Sequence, residues 1–427
     1  MKKRIVLVLV LCFLMISTVF AHEDSSGNVR TSQSQVYFRP EMRISEATDP
    51  EVNRGYPQVA YNSNQHEFLV IWDNYWSADF RDIYARRISN TGGLDAKFTI
   101  ATGADNDELI RWHGSLTFNA TNGEYLVVYM VDALDDQKHW EIWGRRVAWD
   151  GHWNGPEFKI FSWPNRGFWS PHVAWNSDRN EYLVVANALD TQTGKWNDVA
   201  GRVVQANGTM PNFHFAISSQ DQALQPNDAD VVYNPVAIEY LVVWDRLRKG
   251  DIYGARVGGN TGTVVNPPGE FAIDDTNHSQ NDQKVAVNSR GHYLVVSELN
   301  DIDFGDVIYG RELDETGRLI GSHISITDSG ADYDPNVAAR PATNAFLIVW
   351  NDWNEVDDGG IGGALWESSK DVNPGIPFMV TQLGIWPASA AGQSEYLVVY
   401  NKWVDKSNKI YGRMSWQGVN FLPLILR

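Results

Sequence analysis

The chain has 427 residues, a formal net charge of −18 at pH 7 and a single cysteine, Cys12. Such a negative charge disfavours nucleic acid and anionic lipid as partners. Because Cys12 lies in an N-terminal apolar stretch that we expect to be removed, the mature chain would hold no thiol. That excludes disulfides, thiolate metal sites and cysteine nucleophiles, and leaves a large apolar core to stabilise the fold.

The first predicted element is a secretory signal over residues 1–21. Lys2, Lys3 and Arg4 form its basic start, an apolar stretch follows, and Ala21 ends a cleavage site. The apolar stretch is short for a membrane span, so we expect a secreted or cell-surface protein with no membrane insertion after signal removal, and an uncleaved anchor is the alternative. Losing three cations would move the formal charge from −18 to −21. We expect residues 22–40 to form an N-terminal lead-in, a segment that connects the signal to the repeat array.

A repeated phrase then organises the chain: an aromatic residue, Leu, a β-branched pair and usually a second aromatic residue. Successive copies of this phrase start 50 to 58 residues apart. They begin at Phe68, Tyr125, Tyr182, Tyr240, Tyr293, Phe346 and Tyr396. A period of this length indicates one supersecondary unit copied seven times.

Each copy predicts four short strands. In the first copy they begin near Pro57, Phe68, Asp82 and Phe98, with polar turns between them and no helical periodicity. The second strand is apolar throughout, so we expect both of its faces to be buried. The pattern therefore predicts an all-β fold over residues 41–419, a seven-bladed β-propeller of four-stranded antiparallel blades. A β-solenoid is the alternative.

The two ends of the repeat array predict how the ring closes. The last copy supplies three strands only, and Glu41–Ser45 reads as an orphan fourth strand ahead of the first copy. We therefore expect this N-terminal strand to complete the C-terminal blade. The tail at residues 420–427 could instead pair with the same open edge of the C-terminal blade. Its alternative roles are to cover a neighbouring edge strand or to serve as a sorting tail.

The repeat "YLVVW … DIYGRRV … G … F.IS" is carried here by segments such as EYLVVW from Glu239 and EIWGRRVA from Glu141. It resembles the repeat of secreted bacterial proteins of the seven-bladed propeller type, over nearly the whole mature chain. The resemblance implies fold and export and no particular activity, because propellers include lectins, lyases, hydrolases and scaffolds. The sequence lacks Ser-x-Asp-x-Gly-x-x-Trp sialidase boxes and WD40 signatures.

Some residues recur at one register, which predicts a structural role. In five copies the third strand carries an arginine at the equivalent position, namely Arg86, Arg145, Arg202, Arg311 and Arg413. We expect these arginines to form ion pairs between strands or between blades.

Residues that differ between copies are the candidate functional ones. The first strands align on Asn62, Asn119, Asn176, Asn234 and Asn288. Six positions before this register stand Tyr56, His113, Ser170, Asp228, Asp282, Asp334 and Trp386. Four positions before it stand Gln58, Ser115, His172, Asp230, Lys284, Asn336 and Ala388. Strand alternation would turn both rows toward the ring axis, which predicts a channel mouth with three aspartates opposite Tyr56, His113 and His172.

Three functions fit a mouth of this kind. Asp228, Asp282 and Asp334 predict a calcium site, because calcium takes six to eight oxygen ligands, or else a site for a cationic ligand. The alternative is that the aspartates cap local backbone groups.

Catalysis on a polysaccharide is the second function, in two forms. Asp228 and Asp282 would be acid and base of a glycoside hydrolase if they lie about 5 to 9 Å apart. In a lyase, Tyr56, His113 or His172 would abstract a proton beside a uronate whose charge Arg111 or Arg166 neutralises.

Non-catalytic binding is the function that the sequence favours. Trp rings stack on sugar faces, while Asp and Asn accept hydroxyl protons, so a Trp- and Asp-rich loop face predicts a glycan or another cell-surface partner. The predicted ligand residues are Trp112, Trp163, Trp169, Trp386, Arg111 and Arg166. After saccharide binding and polysaccharide catalysis, the third hypothesis is a purely structural envelope or adhesion module.

Overall fold

The structure is a computed structural model. It describes residues 36–46, 52–75, 81–102, 109–132, 138–220, 224–247, 250–265, 269–274, 279–301, 305–328, 330–341, 343–353, 359–368 and 375–415. The predicted signal, most of the predicted lead-in and the tail at residues 420–427 lie outside these residues. Within them, no helix is long and apolar enough to cross a membrane.

The described residues form 28 strands, arranged as seven blades of four. The first strands of the blades are β2 Asn53–Asn62, β6 Arg111–Asn119, β10 Arg166–Asn176, β14 Pro226–Asn234, β18 Ser279–Val287, β22 Gly330–Ala339 and β26 Ile385–Ala391. The second strands are β3 Glu67–Tyr75, β7 Glu124–Asp132, β11 Glu181–Asp190, β15 Glu239–Arg246, β19 Tyr293–Asp301, β23 Ala345–Asp352 and β27 Tyr396–Val404.

The outer half of each blade consists of a long third strand and a shorter fourth one. The third strands are β4 Arg81–Ser89, β8 Trp140–Ala148, β12 Lys195–Gln205, β16 Asp251–Gly258, β20 Gly305–Leu313, β24 Gly360–Glu367 and β28 Ser407–Met414. The fourth strands are β1 Met42–Arg43, β5 Phe98–Ala101, β9 Phe158–Phe161, β13 Phe215–Ala216, β17 Glu270–Asp274, β21 Leu319–Ser325 and β25 Phe378–Thr381. Strands within a blade pair antiparallel in this order.

The first strands form the inner wall of a ring. Each contacts the first strand of the next blade, and β26 of the last blade contacts β2 of the first. The fifth and sixth blades are also joined by a short parallel pairing of Gly305 with Gly330. The predicted all-β propeller is confirmed, and the solenoid alternative is wrong, because a solenoid would not bring its first and last repeats into contact.

The last blade takes its fourth strand from the N-terminal end of the described chain. Met42 of β1 pairs with Gly412 of β28. Ile44 packs against Gly412 as Ile160 packs against Gly144 inside the second blade, each 2.8 Å from where a glycine Cβ would stand. The described N-terminal segment therefore occupies the same position as a fourth strand elsewhere in the ring.

The core lies between the blades. The second strands are buried on both faces, as their uninterrupted apolar sequence predicts. The recurring third-strand arginines join neighbouring blades, but chiefly through main-chain carbonyls rather than the predicted carboxylates. Arg86 donates to Ile44 O at 2.6 Å and Arg311 to Ile273 O at 3.4 Å. Two of these three arginines also pair with an acid, Arg86 with Glu46 at 3.4 Å and Arg145 with Glu157 at 3.3 Å.

Candidate functional site

Every first strand contains a β-bulge at the same place. In each blade the register shifts over the same four positions, for example between Gly55 and Gln58. One residue of each bulge has a left-handed backbone, with φ between 48° and 56°: Tyr56, His113, Ser170, Asp228, Asp282, Asp334 and Trp386. These are the seven residues that the sequence alignment places six positions before the asparagine register. We call them the bulge residues.

The bulge leaves the predicted residues of the mouth in place but changes the reason why they come together. Simple alternation does not continue through an extra residue, so it cannot be what brings the two aligned rows together. Side chains of the two rows nevertheless meet: the charges of His172 and Lys284, from the four-back row, act on the bulge residue Asp228. The six bulge residues other than Ser170, with Lys284, His172 and Asp230, form what we call the channel mouth.

One side of the channel mouth is acidic. Burial opposes ionisation of Asp228, but Lys284, His172 and His113 outweigh it and hold its pKa below the usual range. The pKa of Asp282 is raised by burial and then by the charge of Asp228. Burial and Asp282 together raise the pKa of Asp334 to about 6. Asp282 and Asp334 therefore keep their protons to a higher pH than isolated aspartates do.

A histidine and a lysine lie among these acids. His172 Nδ1 is 3.0 Å from Asp230 Oδ1, so His172 stands beside the aspartates rather than opposite them as predicted. Burial disfavours the charge of Lys284, but Asp228, Asp230, Asp282 and Asp334 outweigh burial and raise its pKa. Lys284 is therefore an internal counter-ion of the cluster.

The predicted catalytic pair does not have the geometry of a glycosidase. The carboxyl groups of Asp228 and Asp282 share a hydrogen bond. They are therefore closer than the roughly 5 to 9 Å that an acid and base need on either side of a glycosidic bond. Among the described residues no group of three or more His, Cys, Asp or Glu could hold a metal ion, and calcium at Asp228, Asp282 and Asp334 stays a prediction.

The other side of the mouth is aromatic. Tyr56 stacks on Trp386 with ring centroids 4.7 Å apart and on His113 at 5.3 Å. Trp112 meets Tyr56 edge-on at 5.6 Å, and the guanidinium of Arg81 lies 4.3 Å from the Trp112 ring centre. Burial lowers the pKa of His113 to about 4, so His113 is neutral at pH 7. The aromatic stack continues the ring of bulge residues across blades one, two and seven.

A cavity of about 420 Å³ opens where the acidic and aromatic sides meet, between blades five, six and seven. Its lining combines carboxyl, amide, hydroxyl and aromatic groups: Asp282, Glu298, Tyr333, Asp334, Asn351, Trp353, Ile385 and Trp386. Burial and then Asp282 raise the pKa of Glu298 to about 8. The Trp353 side chain is 41% exposed at the rim.

Glu298 and Asn351, which lie near the ends of second strands, and Trp353, which directly follows one, were not among the predicted ligand residues. A polar residue directly follows the repeated apolar phrase in six of the seven copies: Asp73, Asn187, Asp245, Glu298, Asn351 and Asn401. A polar residue at the end of a buried strand is a signal that the sequence contained.

Several predicted ligand residues lie elsewhere. Arg111 is buried and pairs with Glu157 at 2.8 Å, so its assignment as a ligand residue is wrong. Arg166 pairs with Asp198 at 3.5 Å. The partly buried rings of Trp112 and Trp169 both pack against Trp140, at 6.0 and 5.4 Å. Like Trp163, which is 49% exposed and meets His214 edge-on, they do not line the cavity.

Comparisons with known proteins agree with this architecture. No protein-family model and no curated protein matches the chain. Solved structures do. A Dyadobacter fermentans protein of unknown function is 12% identical, with a TM-score of 0.52 over 90% of this chain and 99% of that one. The chain folds as a β-propeller.

Two glycan-related structures show the same likeness. The Hadza microbial sialidase Hz136 is 11% identical, with a TM-score of 0.51 over 88% of this propeller and 68% of that chain. The phage phi92 endosialidase is 8% identical, with a TM-score of 0.52 over 96% and 74%. At these identities the likeness shows the fold alone.

Proposed function

We propose that this protein is an exported propeller that binds a saccharide, without cleaving it, in the cavity at its channel mouth. The lining of that cavity carries the proposal. Trp353 and Trp386 offer aromatic faces, and Asp282, Asp334 and Glu298 offer acceptors for sugar hydroxyls, the combination that saccharide sites use. A volume of about 420 Å³ is in the range of small-molecule sites.

The backbone of the bulge residues supports a role for their side chains. A left-handed conformation favours Gly, Asn, Asp and His, and it is least suited to bulky residues such as Tyr and Trp. His113, Asp228, Asp282 and Asp334 therefore suit this backbone, whereas Tyr56 and Trp386 do not. Since the ring keeps these two aromatic side chains at a conformation that disfavours them, we infer that they serve a ligand.

Three alternatives have less support. A lyase acting on a uronate needs a cation beside the substrate carboxylate, and neither Arg111 nor Arg166 lines the cavity. A glycoside hydrolase needs separated carboxyl groups, whereas those of Asp228 and Asp282 are hydrogen-bonded. A structural envelope module would need no cavity of this composition.

The test begins with the mature chain on a glycan array, followed by titration calorimetry with the strongest ligand. Trp353→Ala should weaken binding about ten-fold, because a stacking face contributes on the order of 1 kcal/mol beyond its buried area. The matched control is Trp163→Ala, which removes a similarly exposed ring outside the cavity. Equal binding by both variants, or a larger loss in Trp163→Ala, would contradict the proposed location.

A further inference from the structure

We propose that the saccharide bound in this cavity carries a free amine, so that its ammonium group lies among Asp282, Glu298 and Asp334. This inference rests on the proposed function and names the class of sugar. It follows from the charges around the cavity, from its aromatic faces and from a further buried acid beside the acidic cluster.

The ionisable groups of the lining that carry charge near neutral pH are all acidic. The lining contains three carboxyl side chains and, among the described residues, no Lys, Arg or His. A sugar bearing a carboxylate or sulfate would enter a negative field with no basic group to receive it. Such anionic sugars are therefore disfavoured, although two propellers of similar fold are called sialidases.

The acids around the cavity have fewer cations than they need. Lys284 lies among Asp228, Asp230, Asp282 and Asp334, so one ammonium is shared by four carboxyls. Burial, and after it the charges of neighbouring acids, raise the pKa of Asp334 to about 6 and that of Glu298 to about 8. A second ammonium would relieve this repulsion and allow both groups to ionise.

Asp245 adds a further buried acid beside this cluster. Burial, and after it the charges of Asp228 and Asp282, raise its pKa well above the usual value. Its Oδ1 has no hydrogen-bond partner within the part of the chain that the structure describes. A bound cation near Asp228 and Asp282 would lower the electrostatic cost of burying these acids together.

The aromatic faces favour an amino sugar over a flexible polyamine. Trp386 is held flat against Tyr56, with an angle of 12° between the rings, and Trp353 stands at the rim. A pyranose ring with an amine substituent presents a stacking face and a cation in one rigid group, so it matches both walls at once. A polyamine matches the acids alone.

The experiment compares two hexamers with the same backbone. Calorimetry at pH 6.5 would measure the binding of a β-1,4-linked glucosamine hexamer and of its fully N-acetylated counterpart. We expect the free-amine hexamer to bind about ten-fold more tightly or better, the factor that a charge-assisted hydrogen bond contributes. In Asp334→Asn and Glu298→Gln the preference should shrink several-fold. Glu315→Gln, a 47% exposed carboxyl outside the cavity, is the control and should leave it unchanged.

Each contrary result has its own meaning. Equal or tighter binding of the N-acetylated hexamer overturns the amine inference and leaves the saccharide proposal standing. If the preference for the free-amine hexamer survives in both cavity variants, the proposed site is wrong. If spermidine, a polyamine titrated in the same way, binds as tightly as the free-amine hexamer, the inference that the ligand is an amino sugar is wrong. If neither hexamer binds and the array shows no saccharide ligand, the proposed function fails as well.

Discussion

Asp73 Oδ2 accepts a hydrogen bond of 2.9 Å from the main-chain N–H of His113 in the next blade. Asn351 makes the same contact with the N–H of Trp386, at 2.8 Å. In both cases a polar residue at the end of a second strand holds the bulge residue of the following blade. The aromatic side of the channel mouth is thus positioned from the neighbouring blade.

This contact predicts different outcomes for two variants at Asp73. Asp73→Ala should lower the free energy of unfolding by about 1–3 kcal/mol, because it leaves the buried N–H of His113 without an acceptor. Asp73→Asn should be neutral or stabilising at pH 8.5, because burial raises the pKa of this carboxyl to about 8 and an amide keeps the acceptor without the charge. Urea denaturation would measure both, and a large loss in the Asn variant would contradict the assigned role.

Lys284 should stabilise the ring in a pH-dependent way. Replacing it with Met removes the ammonium shared by Asp228, Asp230, Asp282 and Asp334. We expect a loss of up to about 3 kcal/mol at pH 8, because the uncompensated acids line a channel that water screens only in part. The loss should begin to shrink as Asp334 and Asp282 take up protons, and it should be smallest below pH 4, because the pKa values of Asp228 and Asp230 lie below the usual value. Lys284→Arg should retain most of the stability. A loss that does not vary with pH would indicate packing rather than charge.

Glu298 predicts the sign of a pH effect on stability. Its folded pKa of about 8 exceeds the usual value of about 4.3, so the folded state holds the proton more tightly. The stability that this group contributes should therefore fall as pH rises from about 4 to about 8. The charges of Asp282, Asp306 and Asp334 add to the effect of burial on the pKa of Glu298, whereas a hydrogen bond from Asn281 opposes it.

The measurement is the melting temperature of wild type and Glu298→Gln between pH 5 and 8.5. The variant should lose less stability over this range, by about 1 kcal/mol or more, since one pKa unit corresponds to about 1.4 kcal/mol. Parallel curves for the two proteins would show that Glu298 does not retain its proton in the folded state.

Ring closure can be tested with a matched pair of core variants. Ile44 and Ile160 are both fully buried against a third-strand glycine, one at the junction of the chain ends and one inside a blade. Ile44→Ala and Ile160→Ala should each cost about 2–5 kcal/mol, the range for a large-to-small change in a core. If Ile44→Ala alone leaves the free energy of unfolding unchanged, the N-terminal strand does not close the ring in solution.

The sequence by itself determined the architecture and most members of the channel mouth. Seven copies of one apolar phrase can be buried on both faces only if each blade is covered by two neighbours, and that requirement leads to a closed ring. Comparison of the copies was enough to align the bulge residues, because a repeat places equivalent residues at equivalent positions. Tyr56, His113, Asp228 and Trp386 were found in this way.

Tertiary structure decided which of these side chains form a site. The bulges, the hydrogen bond between Asp228 and Asp282 and the cavity beside Glu298 depend on contacts between blades that no single repeat encodes. Aromatic and arginine side chains look alike in sequence whether they are exposed or packed, and only the packing shows that Trp353 lines the cavity while Trp169 and Arg111 do not. Local pattern therefore predicts strands and their order, whereas charge balance and cavity shape arise only when distant blades meet.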